Sequence, residues 1–224
     1  MAENNLQLPD LGTFELKSQK NESGSLITLF HKEPKPRASI PKLLKSLGWK
    51  HQEAGKDRRS DEMSFRSTTY AHRYSDRGFT IRLNNNHIEF VFDPSKVNKG
   101  ARDLTGVYNN YGEWLADVEK RQPHYSQVLP VYWERADFES TCVSKLDNTI
   151  MCYVETQVID KIEHFKILEV YVYKNFLSSK LPSLFQEGAV AIDFDARTKH
   201  NHGTKLRTNQ KKLGDLFEIS LRLL

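Results

Sequence analysis

Apolar residues in this chain fall into short runs, separated by polar connections or by Gly and Pro. TFELKS (13–18) and SLITLF (25–30) read as two strands, and the polar QKNESG between them, with Gly24, predicts a hairpin loop. The second run is almost wholly apolar, which predicts a central place in a sheet. KEPKPRAS carries two prolines and predicts an irregular connection; IPKLLKSLG (40–48) has the spacing of a short helix stopped by Gly48. KHQEAGKDRRSDEMS (50–64) nearly lacks apolar residues and reads as a mobile polar loop. FTIRLNNNHIEFVFD predicts a hairpin turning at Asn84, Asn85 and Asn86.

Further on, YGEWLADVEKR (111–121) places Trp114, Leu115 and Val118 on one helical face. VLPVYWERADF reads as a strand. Aromatic and β-branched residues tip IEHFKILEVYVYKN towards strand as well. NFLSSKLPSLFQEG predicts short helical turns around Pro182. AVAIDFDAR alternates cleanly as a strand, and LGDLFEISLRLL closes the chain with apolar residues expected to dock on the sheet. No repeat and no regular βαβ alternation is visible. The expected class is therefore α+β, with a mixed central sheet flanked by helices, in a single domain over residues 1–224.

Charge changes this picture more than composition does. The 224 residues carry a net charge of only +4, and 38% are hydrophobic, enough for a core. Between Lys32 and Arg82, however, thirteen Lys/Arg face six Asp/Glu, and between Arg197 and Lys212 six basic residues stand without an acid. From Glu113 to Glu169 the balance reverses, with six basic and eleven acidic residues. Two basic surfaces on a neutral or acidic body suit a polyanion, although a solvated basic face reads equally well from charge alone. No apolar run is long enough to span a membrane, and MAENNLQLPDLG has neither the basic start nor the apolar stretch of a signal peptide. A cytoplasmic protein is expected. Its two cysteines, Cys142 and Cys152, flank the expected turn LDNT and read as small buried side chains, not as a disulfide or a zinc site.

Two segments hold candidate chemistry. In PDLGTFELK, strand alternation puts Glu15 and Lys17 on one face and sends Phe14 and Leu16 the other way, into the core. Gly12 lets the backbone bend so that Asp10 returns towards Glu15. Two carboxylates form a hard oxygen site suited to Mg²⁺, beside a lysine able to orient water and offset phosphate charge. An exposed strand face accounts for the same short pattern. The second segment, AIDFDARTKHNHGTKLR (191–207), is dense in groups that bond base edges. Asp193 and Asp195 share a strand face and can orient Arg197 or accept from cytosine, and Gly203 permits a close approach or a positive φ. Zinc ligation by His200 and His202, or an ordinary polar loop, are the alternatives. The letters HNH at 200–202 do not make an HNH nuclease, whose residues spread over a longer span.

Together, PDLGTFELKSQKNESGSLITLF and the downstream HNHGTKLR resemble the MvaI/BcnI family of restriction endonucleases, relatives of the mismatch-repair nicking enzyme MutH. The resemblance runs from Asn5 to about Phe217 and is firmest at its two ends. It implies a PD-(D/E)xK nuclease fold and a Mg²⁺-dependent, sequence-specific endonuclease acting on double-stranded DNA as a monomer, at a site of the CC-N-GG type, with a cognate methyltransferase as genetic partner. Asp10 and Glu15 are then the metal ligands, and Lys17 completes the catalytic set. A loop bearing His200, His202, Lys205 and Arg207, with Arg197 as a more variable position, reads the DNA. Lys32, Lys35, Arg37, Arg58 and Arg59 are candidates for phosphate contacts. The catalytic part is expected in residues 1–50 with the central sheet, and the recognition part mainly in 50–80 and 190–212. Relatives carry a helix ahead of the first aspartate, and this sequence is expected to lack it. The competing readings are a MutH-like repair nicking enzyme and a catalytically impaired DNA-binding protein. An RNA-binding module lacks the aromatic platform it would need.

Overall fold

A computed structural model describes residues 10–21, 23–123 and 130–224. The expected lead-in before Asp10 and the Val128–Leu129 start of VLPVYWERADF lie outside these residues. Among these residues twelve strands, β1 to β12, form three sheets. The first has the order β1 (Glu15–Lys20), β8 (Asn148–Ile159), β9 (Ile162–Phe176), β12 (Phe217–Arg222). The second runs β2 (Ile27–His31), β11 (His200–Thr208), β10 (Val190–Arg197), β4 (Met63–Thr69), β3 (Trp49–Lys50). The third is β5 (Arg77–Leu83), β6 (His87–Val97), β7 (Val131–Glu134). The pairing of β1 with β8 is parallel and the other strand pairings are antiparallel, so the first sheet is mixed.

Several sequence expectations hold. The helix α1 (Ser39–Leu47) buries Ile40, Leu43, Leu44 and Leu47, and the Gly48 N–H donates to the Leu44 carbonyl at its end. The helix α2 (Tyr111–Arg121) buries Trp114, Leu115 and Val118, with Asn110 accepting from the Glu113 N–H at its start. The hairpin of β5 and β6 turns at Asn84–Asn86. β9 and β10 are strands, and Pro182 lies in the short helix α4 (Leu181–Gln186).

Others are corrected. TFELKS and SLITLF are strands but not a hairpin: β1 joins β8, while β2 joins β11 in another sheet. β2 is a terminal strand of its sheet, not a central one. Its apolar run is buried by side-chain packing, with Phe30 5.4 Å from Phe138. ERADF does not extend β7; Arg135 begins a twelve-residue helix, α3 (Arg135–Leu146), that buries Phe138, Cys142 and Leu146. That i, i+4, i+8 stripe is helical, but the aromatic VYWE ahead of it masks the change of period. The closing segment docks only in part: Leu213, Leu216 and Phe217 are buried, whereas Ile219, Leu221, Leu223 and Leu224 stay exposed although β12 pairs with β9. LDNT is not a strand-to-strand turn, since Cys142 is on α3 and Cys152 on β8; both are free thiols, and only Cys142 is fully buried.

An aromatic core holds the second and third sheets together. Phe65 and Phe194 from the second lie against Phe79 and Phe90 from the third, with centroids 5.1 to 6.0 Å apart. Each such ring contributes roughly 1.5–3 kcal/mol through burial, and tilted pairs add to that. The inner residues of β10 (Ile192, Phe194, Ala196) are thus fixed, and Asp193, Asp195 and Arg197 must face outward. No helix among the described residues is long and apolar enough to cross a membrane.

Candidate metal site and nucleic-acid interface

Ahead of β1 the chain makes a tight turn. Leu11 and Phe14 exchange backbone hydrogen bonds of 2.8 and 2.9 Å, and Gly12 between them has φ +61°. Nothing lies within 4 Å of a Cβ built on Gly12, so glycine is needed there for its dihedral and not for space. The turn folds Asp10 back until its Oδ2 accepts the Leu16 N–H at 3.2 Å. The chain does bend back at Gly12, and Asp10 is held at the start of β1 through the Leu16 backbone.

The facing of β1 is the reverse of the expectation. Leu16 is 46% exposed, whereas Glu15 is only 5% exposed. The charged face is the buried one. A lone buried carboxylate is costly, and here two ammonium groups compensate it. Lys17 Nζ lies 2.5 Å from Glu15 Oε1, and Lys145 Nζ lies 3.7 Å from Oε2, with the lysine side chains 15% and 13% exposed. Lys145 comes from the last turn of α3, the helix that sequence reading missed, and no motif pointed to it. Glu15 Oε2 is buried and accepts no hydrogen bond. An orphaned carboxylate oxygen, with a second carboxylate folded back onto the same strand, has the hard oxygen chemistry that suits a divalent cation. Among the described residues no three His, Cys, Asp or Glu side chains converge. Two carboxylates alone suit a cation that keeps several waters or takes substrate oxygens.

The segment expected as a reading loop is instead a hairpin of β10 and β11, turning at Thr198 and Lys199. His200, Asn201 and His202 stand exposed at its tip, with the two imidazoles 4.2 Å apart and edge to face. Gly203 has φ +82°, and a Cβ there would come within 3.0 Å of Glu33 Oε1. Further down, outward charges interlock across three strands. Asp193 accepts from Thr68 Oγ1 at 2.8 Å and from an Arg207 terminal nitrogen at 3.1 Å. Asp195 pairs with Arg66 Nε at 3.0 Å and with Lys205 Nζ at 3.4 Å. The aspartates do orient basic groups, but Arg197 is not among them; it bonds Glu62 at 3.1 Å.

The acidic site and the hairpin are neighbours. His31, at the end of β2, has its pKa held below the usual imidazole value, first by partial burial and then by the charge of Lys205; Lys17 adds to the effect. A hydrogen bond with the His202 backbone and the Glu33 charge oppose it. His31 stands opposite Lys205 in the register of β2 and β11, and its neighbour Lys32 bonds α3, the helix whose Lys145 meets Glu15, so β2 and α3 connect the two segments.

The phosphate-contact candidates divide. Lys32 is tied to α3 through Thr141 Oγ1 at 2.7 Å and Asp137 at 3.0 Å. Lys35 lies 3.7 Å from Glu134, and Arg37 is exposed. Arg58 and Arg59 lie in the connection between β3 and β4, paired with Glu53 and Asp61. Partly or fully exposed pairs of this kind exchange readily for phosphate.

A sequence profile of the MvaI/BcnI restriction endonuclease family matches residues 1–217. In fold, the chain is similar to restriction endonuclease MvaI in its complex with cognate DNA, with a TM-score of 0.74 at 19% identity over 100% of this chain and 83% of that one. MvaI in the absence of DNA gives 0.55 at 18% identity over 98% and 82%. No curated protein matches. The chain belongs to the MvaI/BcnI restriction endonuclease family and is a type II site-specific deoxyribonuclease.

Proposed function

We propose that this protein is a Mg²⁺-dependent endonuclease that hydrolyses duplex DNA at a short site of the CC-N-GG type. It acts as a monomer in the cytoplasm and leaves 5′-phosphate and 3′-hydroxyl ends. A cognate methyltransferase protects the host site. The chain works as one endonuclease unit: residues 1–50 and the sheet they join supply the chemistry, and 50–80 with 190–212 supply recognition.

The observation that carries this reading is the buried Glu15 carboxylate, with Lys17 on one oxygen and no hydrogen bond on the second, on a strand whose Leu16 N–H bonds the folded-back Asp10. Asp10 and Glu15 would hold the cation. When bound, it lowers the pKa of a coordinated water and stabilises charge on the scissile phosphate. Lys17, held at the carboxylate edge, orients the attacking water and offsets charge developing on the phosphate oxygens. Lys145 balances the Glu15 charge from the α3 side. The hairpin tip, with His200 and His202, meets base edges, while Lys205, Arg207 and Arg197 line the face below it, and Lys32, Arg58 and Arg59 lie towards the phosphates. The fold likeness to MvaI bound to its cognate DNA supports duplex DNA as the ligand.

Digestion of a sequenced plasmid with Mg²⁺, followed by mapping of the ends, tests the proposal. Cuts at one recurrent short sequence, abolished by chelation, are expected. Cutting that persists in chelator, or no cutting with any divalent cation, refutes it.

A further inference from the structure

The structure separates the arginines near the hairpin by what their terminal nitrogens are doing. Both terminal nitrogens of Arg207 are engaged inside the protein, one with Asp193 and the other with the Leu26 carbonyl. A terminal nitrogen of Arg197 is committed to the buried Glu62. Arg66 on β4 differs. Its Nε lies 3.0 Å from Asp195 Oδ1 as an ion pair without hydrogen-bond geometry, and among the described residues no protein group accepts from its two terminal nitrogens. The Arg66 side chain is 57% exposed, and it lines a polar groove of about 310 Å³ with Ser67, Thr68, Asp193 and Asp195.

We infer that Arg66 is a specificity-determining residue that reads a guanine, and that Arg207 positions the sheet face on which it does so. This inference rests on the endonuclease reading. An arginine reads guanine when both terminal N–H groups face O6 and N7 together. The Asp195 charge draws the guanidinium to the groove from its Nε side and leaves the fork free. Asp195 is itself fixed, by Lys205 from the neighbouring strand. The groove belongs to the face that carries β11: Arg66 pairs with Asp195, Asp195 with Lys205, and Lys205 stands opposite His31 of β2 in the sheet register. No sequence motif marks this role, because Arg66 sits in an ordinary strand, MSFRSTT.

The test compares wild type, Arg66→Ala and Arg66→Lys on a DNA library in which every base pair of the mapped site is varied. Cleavage with Mg²⁺ and binding with Ca²⁺ are both measured. Arg66→Ala is expected to lose about 5- to 150-fold of discrimination at one G·C pair only, the range that a bidentate contact supplies. Arg66→Lys, which keeps the charge but not the fork, is expected to lose the same discrimination while retaining the salt dependence of binding. A uniform loss over all sequences in Arg66→Ala, with a salt slope reduced by about one and restored by lysine, overturns the inference in favour of a phosphate contact. Unchanged discrimination overturns it outright. Failure of the wild type itself to cut DNA would instead refute the endonuclease reading, so the two failures are distinct.

Discussion

Two strands, β1 and β10, hold candidate site residues, and they treat charge in opposite ways. β10 buries Ile192, Phe194 and Ala196 in the aromatic core and turns Asp193, Asp195 and Arg197 outward. β1 buries Glu15 and exposes Leu16. A recognition surface has to present its polar groups to a partner. A metal site gains from the reverse, because charges withdrawn from water interact more strongly and must be compensated close by. The Glu15 carboxylate, enclosed by Lys17 and Lys145, is compensated in this way; the ladder of Arg66, Asp195 and Lys205 remains open to a partner.

Glu15→Gln breaks the buried side of the comparison and is expected to have the largest effect. It removes charge from the candidate cation ligand, and Mg²⁺-dependent cleavage is expected to fall at least about 100-fold in single-turnover assays. A rate near wild type would remove Glu15 from the metal site. Lys145→Met keeps the apolar stem and removes one of the two compensating charges. Loss of a sole partner in a buried pair costs about 3–5 kcal/mol, and with Lys17 still present about 2 kcal/mol is expected, read as a lower midpoint in denaturant. Lys205→Ala removes the equivalent partner on the open face. Its stability cost is expected at about 1 kcal/mol or less, with DNA affinity reduced more visibly than folding. Equal stability losses for the two lysines would erase the distinction drawn here.

The contrast between the strands also explains what was legible in advance. The outward face of β10 followed from strict alternation, because the buried positions there are apolar. Alternation failed at β1: Phe14 and Leu16 suggest an apolar inside, and only the partners of Glu15 reveal that the inside is ionic. One of those partners, Lys145, lies 130 positions from Glu15 on a helix that the sequence reading merged with a strand. The turn at Gly12 was readable because its residue type is required by local dihedrals. The separation of β1 and β2 into different sheets was not, since their partners β8 and β11 lie far along the chain and pairing is decided by packing. Asp10, Glu15 and Lys17 were found as a motif; Arg66 became visible only from which of its nitrogens are bonded.

The smallest expected effect lies between the two regions, at His31. Its folded-state pKa is depressed below 6.5 by partial burial, then by Lys205 and Lys17, against the opposing Glu33. The folded protein then binds fewer protons than the unfolded chain as pH falls. This contribution to stability is complete above about pH 6.5 and is lost as pH drops through the folded value. His31→Gln is expected to flatten that part of the stability–pH curve, and an unchanged curve would show that the two lysines do not meet at this imidazole.

The most direct test of the central claim, that a buried ionic strand cuts the DNA which an exposed hairpin holds, is a parallel measurement of binding and cleavage by Lys17→Ala. Sequence-specific binding with Ca²⁺ is predicted to be largely retained while Mg²⁺-dependent cleavage disappears. Loss of both to the same degree, or cleavage at the wild-type rate, would contradict it.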